Sequence, residues 1–178
     1  MPVIVVGGSG RGVGKTALVC VLIRALPEFA WTAVKITGDE LGKSAAIWTE
    51  TMAGEGSDTA RYLAAGAQSA LLMTATDSDF VQVLQTLRLS IDPDTPLILE
   101  SNRIVDYLQP DVCLAVDGEP GLAPKPSYAR LREKADAILQ PTARAQGVDG
   151  SRPVFAWATP ARMSPALQQW IRLRFGLA

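Results

Sequence analysis

Apolar runs alternate with amphipathic segments along most of the chain. Six runs are apolar at nearly every position rather than at every second one, which is typical of parallel strands covered on both faces. These predicted strands lie at residues 3–6, 31–36, 69–73, 96–100, 112–116 and 154–157. The segments between them carry helical apolar spacing and N-terminal capping residues. The predicted helices lie at residues 16–26, 57–65, 78–89, 127–139 and 165–175.

The regular alternation of strands and helices predicts the fold class. It favours an α/β fold of three layers, in which a doubly wound, mostly parallel sheet of about six strands lies between helices. A chain of 178 residues has the length of one domain, so we expect residues 1–178 to form a single one. Residues 37–56 and 118–126 lack periodicity and follow strands directly, where ligands bind in such sheets. We therefore expect both segments to be functional or mobile loops.

Composition narrows the chemistry that the chain can perform. It contains no histidine, which excludes Ser-His-Asp and Cys-His nucleophile systems and zinc sites built on histidine. The formal charge of −1 supplies no basic field for nucleic acid or an anionic membrane, so we expect neither partner. Cys20 and Cys113 lie in apolar runs, which favours buried side chains over a disulfide. No leader or membrane-spanning run is recognisable, and we expect a cytoplasmic protein.

The most specific signal is a glycine-rich loop between the first strand and the first helix. The sequence IVVGGSGRGVGKTALVCVLI spans residues 4–23. Glycines let a backbone curl around a phosphate with several N–H groups pointing inward, and the positive end of the following helix faces the anion. Lys15 can reach the β- and γ-phosphates, and the Thr16 hydroxyl can bind Mg²⁺. The predicted nucleotide-binding residues are Gly8, Ser9, Gly10, Arg11, Gly12, Val13, Gly14, Lys15, Thr16 and Ala17.

The loop departs from the usual P-loop spacing by one residue. The usual pattern has a glycine five positions before the glycine of the Gly-Lys pair, where this chain has Ser9. Counted from Gly8, the loop is one residue longer. It then resembles the loop of dethiobiotin synthetase and the cobyrinic-acid amidases, in which a valine also precedes the Gly-Lys-Thr. The resemblance implies the SIMIBI branch of P-loop NTPases.

A second resemblance extends over residues 1–116. The chain resembles MobB-type proteins, accessory factors in attaching a guanine nucleotide to the molybdenum cofactor. The matching segments are AVKITGD with Lys35, GSDTARYLAAGA with Asp58, Arg61, Gly66 and Ala67, and LILESN with Glu100. This chain has Ile36 and Thr37 where that family has histidines, and Ser101 rather than a glycine after Glu100. The resemblance implies a nucleotide-binding homodimer that acts in cofactor biosynthesis.

Carboxylates near the loop are candidate metal ligands. Glu100 ends an apolar strand, and a carboxylate buried there needs a partner to offset its lost hydration. A Mg²⁺ ion held by Thr16 and Glu100 supplies that partner, and a capping carboxylate without a metal is the alternative. Asp39, Glu40 and Asp58 compete for a second position in the metal shell. By resemblance to dethiobiotin synthetase, in which an acidic residue after the second strand joins that shell, Asp58 and Asp39 are equal candidates.

Basic and polar residues at the same sheet edge are further candidates. Lys35 follows an apolar strand and can neutralise a transferred phosphoryl group or a carboxylate, which makes it a candidate catalytic residue beside Lys15. A solvated lysine at a strand end is the alternative. Asn102 and Arg103 can orient a substrate or a water, or be ordinary exposed polar residues. No Asn-Lys-x-Asp guanine signature follows any strand, and the candidate base-binding segments are residues 115–125 and 158–162.

Three functions are compatible with these features. The first is Mg²⁺-dependent binding and slow hydrolysis of ATP or GTP in a MobB-like accessory role, with Lys15 and the metal neutralising charge. The second is phosphoryl transfer to a small carboxylate in the manner of dethiobiotin synthetase, with Lys35 and the loop at residues 37–56 holding the substrate. The third is a scaffold that binds nucleotide without turnover and acts through dimerisation. A small molecule or another protein is a further expected partner.

Overall fold

The secondary structure alternates strands with helices in a computed structural model that describes residues 1–38, 45–118, 124–141, 147–157 and 163–177. The strands are β1 (Val3–Gly8), β2 (Thr32–Thr37), β3 (Ala46–Thr49), β4 (Ser69–Thr74), β5 (Leu97–Glu100), β6 (Val112–Val116), β7 (Ala137–Pro141), β8 (Val148–Asp149) and β9 (Arg152–Trp157). The helices are α1 (Lys15–Ala25), α2 (Asp58–Ala64), α3 (Phe80–Ser90), α4 (Pro126–Lys134) and α5 (Pro165–Arg174), with a 3₁₀ turn at Ile104–Asp106. None of the helices in this described part of the chain has the length and apolarity to cross a membrane.

The strands form one sheet in the order β3-β4-β2-β5-β1-β6-β7-β9-β8. Its seven central strands run parallel, whereas β3 and β8 pair in antiparallel fashion at the two edges. Because β1 lies in the middle and the chain crosses over to both sides of it, the sheet is doubly wound. The predicted fold class is confirmed, with nine strands among the described residues in place of about six.

Helices cover both faces of the sheet because the central strands are apolar at almost every position. Ile4 and Val6 of β1 pack with residues of α1, α2 and α5, whereas Val5 packs with residues of α3 and α4. All three side chains are fully buried, and each such side chain contributes about 1.5–3 kcal/mol of transfer free energy. The two apolar layers therefore hold the carboxyl ends of the central strands in fixed positions.

Two strands form where the sequence predicts other structure. The predicted helix at residues 127–139 ends at Lys134, and its last three residues begin β7 instead. Ile138 and Leu139 are fully buried, and their strand lies between β6 and β9. The apolar run at residues 137–139 is too short to show the periodicity that distinguishes a strand from a helix. The β3 strand lies at the sheet edge within the predicted loop at residues 37–56, so part of that segment is an ordinary strand.

The sheet register brings three candidate site residues to one edge. In the order β2-β5-β1, Glu100 pairs with Lys35 on one side and with Val6 on the other. The glycine-rich loop leaves β1 directly after Gly8, two residues beyond Val6. Because the strands are parallel, their carboxyl ends meet at the same edge, and the loop, Lys35 and Glu100 lie side by side.

Gly7 in β1 provides a test of this packing. A Cβ atom at Gly7 would lie 2.3 Å from Leu131 Cδ1 and 2.6 Å from Asn102 Oδ1, so a larger residue forces these neighbours to move. We expect Gly7→Ala to lower the free energy of unfolding by about 1–3 kcal/mol through overpacking. The matched control is Gly10→Ala, because a Cβ atom there meets nothing within 4 Å. Urea unfolding without nucleotide measures both variants, and equal stability of the two would contradict the packing described.

Candidate functional site

A cleft of about 830 Å³ opens at the carboxyl ends of β1, β2 and β5. It is bounded by the glycine-rich loop, by the ends of β2 and β5, and by the start of α2. Its ionisable lining residues are Arg11, Lys15, Lys35, Asp58, Arg61, Glu100, Arg103 and Lys125. Six of these eight are cationic, so the cleft suits an anionic ligand of small-molecule size.

The loop turns through glycines that have a left-handed backbone. Gly12 has a φ of 74° and Gly14 a φ of 96°, a region that other residues rarely adopt. Gly14 is also confined by Trp157, because a Cβ atom at Gly14 would lie 2.6 Å from the indole Nε1. Gly14 is the N-cap of α1 and has no side chain to bond the first amides of the helix. The positive end of the helix is therefore open to an anion.

Lys15 folds back over the loop. Its Nζ donates a hydrogen bond to the Gly10 carbonyl oxygen at 2.6 Å. Burial lowers the pKa of this ammonium, and the charge of Glu100 opposes that shift. A cation is therefore held inside the cleft beside the loop backbone, where the β- and γ-phosphates of a nucleotide lie in P-loops.

The other predicted loop residues divide into supporting and lining residues. Ser9 and Val13 connect the loop to the segment after β6. Ser9 Oγ accepts a hydrogen bond from the Gly118 amide at 2.8 Å. Val13 Cγ1 lies 2.8 Å from the position that a Cβ atom of Gly118 would take. The predicted residues that line the cleft are Gly8, Gly10, Arg11, Gly12, Gly14, Lys15, Thr16 and Ala17.

The Glu100 carboxylate is buried at the end of β5, with 4% of the residue exposed. Its Oε2 accepts hydrogen bonds from the Thr16 hydroxyl at 2.8 Å and from the Tyr62 hydroxyl. Its Oε1 lies 3.2 Å from Lys35 Nζ. The α1, α2 and β2 elements therefore each provide one donor to the same carboxylate, and these bonds offset the cost of burying its charge.

Lys35 joins Glu100 to Asp58. Its Nζ donates to Asp58 Oδ2 as well as to Glu100 Oε1, so one ammonium serves two carboxylates. Burial alone would lower the pKa of Lys35, but the negative charge of Glu100 and the hydrogen bond and charge of Asp58 outweigh it and raise that pKa. Burial alone would raise the pKa of Asp58, but the hydrogen bond and charge of Lys35, together with a hydrogen bond from Thr16 and the charge of Arg61, outweigh it and lower that pKa. The Lys35–Asp58 pair is therefore ionised at neutral pH.

Three of the four predicted metal ligands come together at this cluster. They are Thr16, Asp58 and Glu100, whereas Asp39 lies outside the described residues. Within the described ranges, no group of three or more acidic or cysteine side chains is placed to hold a metal ion. A Mg²⁺ ion bound to a nucleotide does not need such a group, because it keeps several waters and binds the phosphates together with one or two carboxylates. The hydroxyl of Thr16 and the carboxylate of Glu100 are hard oxygen ligands of the kind that Mg²⁺ takes.

Two residues hold the site in ways that the sequence does not indicate. Tyr62 lies within α2 and is fully buried, and no sequence signal predicts its bond to Glu100. Burial and the charge of Glu100 raise the pKa of Tyr62, so its hydroxyl stays protonated as a donor. Asn102 contacts the loop itself: its Oδ1 accepts from the Gly8 amide at 2.8 Å, and its Nδ2 donates to the Gly8 carbonyl at 3.0 Å.

Arg103 ties strand ends together beside the cleft. Its guanidinium donates to the Thr37 and Ala75 carbonyls at 3.2 Å and 2.6 Å and pairs with Asp77 at 2.9 Å. The same group lies over the Phe80 ring, 4.6 Å from its centroid. These contacts occupy the guanidinium with the protein's own groups, which favours a structural role over the orientation of a substrate.

The comparisons with known proteins bear on the fold. No family model matches the chain, and no curated protein matches it either. A similar solved structure is that of LpxK from Aquifex aeolicus in complex with ATP, with a TM-score of 0.53 and 18% sequence identity. The match covers 88% of this chain and 53% of that one, so this chain spans about half the length of LpxK. The chain has a P-loop NTPase fold.

Asn102 provides a test of how the loop is held. Asn102→Ala removes both hydrogen bonds to Gly8, and we expect it to lower the free energy of unfolding by about 1–3 kcal/mol. We also expect faster amide hydrogen exchange in the loop, because Gly8 loses its anchor. The control is Ser127→Ala, which removes a different polar group from the cleft lining. Unchanged exchange in the loop of the Asn102 variant would contradict the anchoring role.

Proposed function

We propose that this protein binds a nucleoside triphosphate as its Mg²⁺ complex, with the phosphates enclosed by residues 8–17. One observation carries the proposal: Lys15, the open N-terminus of α1 and the Thr16–Glu100 pair converge on one cleft. The cation and the helix end suit the β- and γ-phosphates, and the oxygen pair suits the metal bound to them. ATP is the first candidate because the similar LpxK structure is a complex with ATP, and GTP is the alternative.

The metal would be held through Thr16 Oγ1 and Glu100, with Asp58 or Asp39 as the second carboxylate. Thr16 and Glu100 are already in contact, since their oxygens lie 2.8 Å apart. Tyr62 donates to Glu100 Oε2 and Lys35 lies beside Oε1, so the orientation of this carboxylate is fixed before any ligand binds. Bound Mg²⁺ supplies charge neutralisation at the β- and γ-phosphates.

Hydrolysis is expected to be slow because the described cleft holds its carboxylates in other bonds. Glu100 accepts from Thr16, Tyr62 and Lys35, and Asp58 accepts from Lys35. A general base must be able to take a proton from the attacking water, and a carboxylate that pairs with a cation, whether Lys35, Arg61 or the metal ion, is a weak base. Lys15 and Lys35 instead stabilise negative charge on the transferred phosphoryl group. This chemistry suits a MobB-like accessory role with slow hydrolysis.

A second candidate function is phosphoryl transfer to a small carboxylate, as in dethiobiotin synthetase. The observation that favours it is the extent of the cleft beyond the loop, where Lys35, Thr37, Gly38 and Arg61 form part of the lining. A volume of about 830 Å³ lies within the range of small-molecule sites. The cationic groups of Lys35 and Arg61 suit an acceptor that carries a carboxylate.

Nucleotide binding is tested by the thermal stability of the protein with ATP or GTP and Mg²⁺. A ligand at one hundred times its Kd stabilises the folded state by about 2.7 kcal/mol, and we expect a matching rise in the Tm of the wild type. Lys15→Ala should lose most of this rise, because the ammonium that reaches the phosphates is gone. The control is Lys134→Ala, whose ammonium pairs with Asp106 outside the cleft. A wild type stabilised by neither nucleotide would contradict the proposal.

Released phosphate separates the two candidate functions. For an accessory NTPase we expect slow release at a rate that small carboxylic acids do not change, because water is the acceptor. For a phosphotransferase we expect release or transfer to rise many-fold with one acid among a panel of mono- and dicarboxylates. Lys15→Ala serves as the blank for contaminating phosphatases, since it removes the charge on which both reactions depend.

A further inference from the structure

The Lys35 ammonium occupies the place of a cation among the proposed metal ligands. It lies 3.2 Å from Glu100 Oε1 and donates directly to Asp58 Oδ2. The exposed fractions of the side chains are 24% for Lys35, 33% for Asp58 and 5% for Glu100. Two carboxylates thus share the Lys35 ammonium, and Asp58 also lies 3.8 Å from the Arg61 guanidinium.

Lys35 and a divalent cation would compete for these carboxylates. An ammonium beside Asp58 and Glu100 satisfies part of their charge and repels a second cation brought within a few ångströms. The site is partly buried, so salt screens this repulsion less than at an exposed surface. A metal that binds Glu100 is therefore favoured only when the ammonium moves to another anion.

A nucleotide would provide that anion. Lys35 and the glycine-rich loop line the same cleft, and the charge of Lys35 acts on Lys15 within it, so phosphates held at Lys15 also attract the Lys35 ammonium. Lys15 gives up a weaker interaction when it moves to a phosphate, because in the nucleotide-free protein it bonds the neutral Gly10 carbonyl rather than a carboxylate. Release of Lys35 from its two acidic partners is thus the step that links the metal to the nucleotide.

We infer that Lys35 is an exchangeable internal cation. In the nucleotide-free protein it neutralises Asp58 and Glu100 and excludes a divalent ion. When the phosphates of a nucleoside triphosphate accept its ammonium, Glu100 becomes free to bind the metal. The inference rests on the proposed function, since it assumes the metal site at Thr16 and Glu100. Because Lys35 leaves Glu100 only when a nucleotide is present, metal binding depends on nucleotide binding. The protein would then carry no divalent ion between nucleotide-binding events.

The test is Mn²⁺ binding, followed by the room-temperature paramagnetic resonance signal of free Mn²⁺. Without nucleotide, we expect Lys35→Met to bind one Mn²⁺ about tenfold or more tightly than the wild type, a change typical of coupled sites. Lys35→Arg, which keeps the charge, should exclude the ion as the wild type does. Lys125→Met is the matched control, because Lys125 lines the same cleft but forms none of the described ion pairs with Asp58 or Glu100.

The wild type alone provides a second arm that needs no variant to fold. With a non-hydrolysable ATP analogue, and after subtraction of the Mn²⁺ that the analogue binds alone in solution, we expect the Mn²⁺ affinity of the protein to rise about tenfold or more over that of the nucleotide-free protein. Equal affinity with and without an analogue that binds the protein, or a Lys35→Met variant that binds Mn²⁺ no better than the wild type, would overturn the inference. Failure of the proposed function gives a different result, in which the analogue itself does not bind while Lys35→Met still gains the ion.

Discussion

The buried carboxylate of Glu100 is the constraint on which the rest of the site depends. An uncompensated charge with 4% of its residue exposed would destabilise the fold by several kcal/mol, so the chain must bring donors to it. The donors come from three different elements: Thr16 from α1, Tyr62 from α2 and Lys35 from β2. Satisfying one carboxylate therefore also fixes the first turn of α1, and with it the end of the glycine-rich loop.

The parallel sheet makes this convergence possible. Adjacent positions on β2, β5 and β1 place Lys35, Glu100 and Val6 in one row, two residues before the loop begins at Gly8. Asn102 then fastens Gly8 to the end of β5 through both of its backbone polar groups. The same few residues thus serve stability and binding together, and a chain without histidine has a charged site built from lysine, carboxylate and hydroxyl groups.

The sequence predicted the parts of the site that rest on local backbone chemistry. Gly12 and Gly14 take left-handed conformations that other residues rarely adopt, and the Thr16 hydroxyl contacts the Glu100 carboxylate, with which the sequence predicts that it shares a metal ion. The β7 strand was missed because a three-residue apolar run at the end of a helical pattern has no period of its own.

No local sequence pattern predicts the side-chain contacts between distant segments. The bonds from Tyr62 to Glu100 and from Asn102 to Gly8 join residues 38 and 94 positions apart, and only the tertiary packing brings them together. Arg103 looked like a candidate substrate contact because it follows a strand end at the ligand edge, yet its donors meet the Thr37 and Ala75 carbonyls. Polar residues at such an edge can serve the ligand or the fold, and sequence alone does not separate the two.

The most direct test of the account is a crystal structure of the protein with a non-hydrolysable ATP analogue and Mn²⁺, located by its anomalous scattering. The account predicts the triphosphate within residues 8–17, with Lys15 Nζ moved from the Gly10 carbonyl onto phosphate oxygens. It also predicts Mn²⁺ beside Thr16 and Glu100, with Lys35 released from that carboxylate. A nucleotide bound elsewhere, or a loop without phosphate whose Lys15 still contacts Gly10 at saturating analogue, would contradict it.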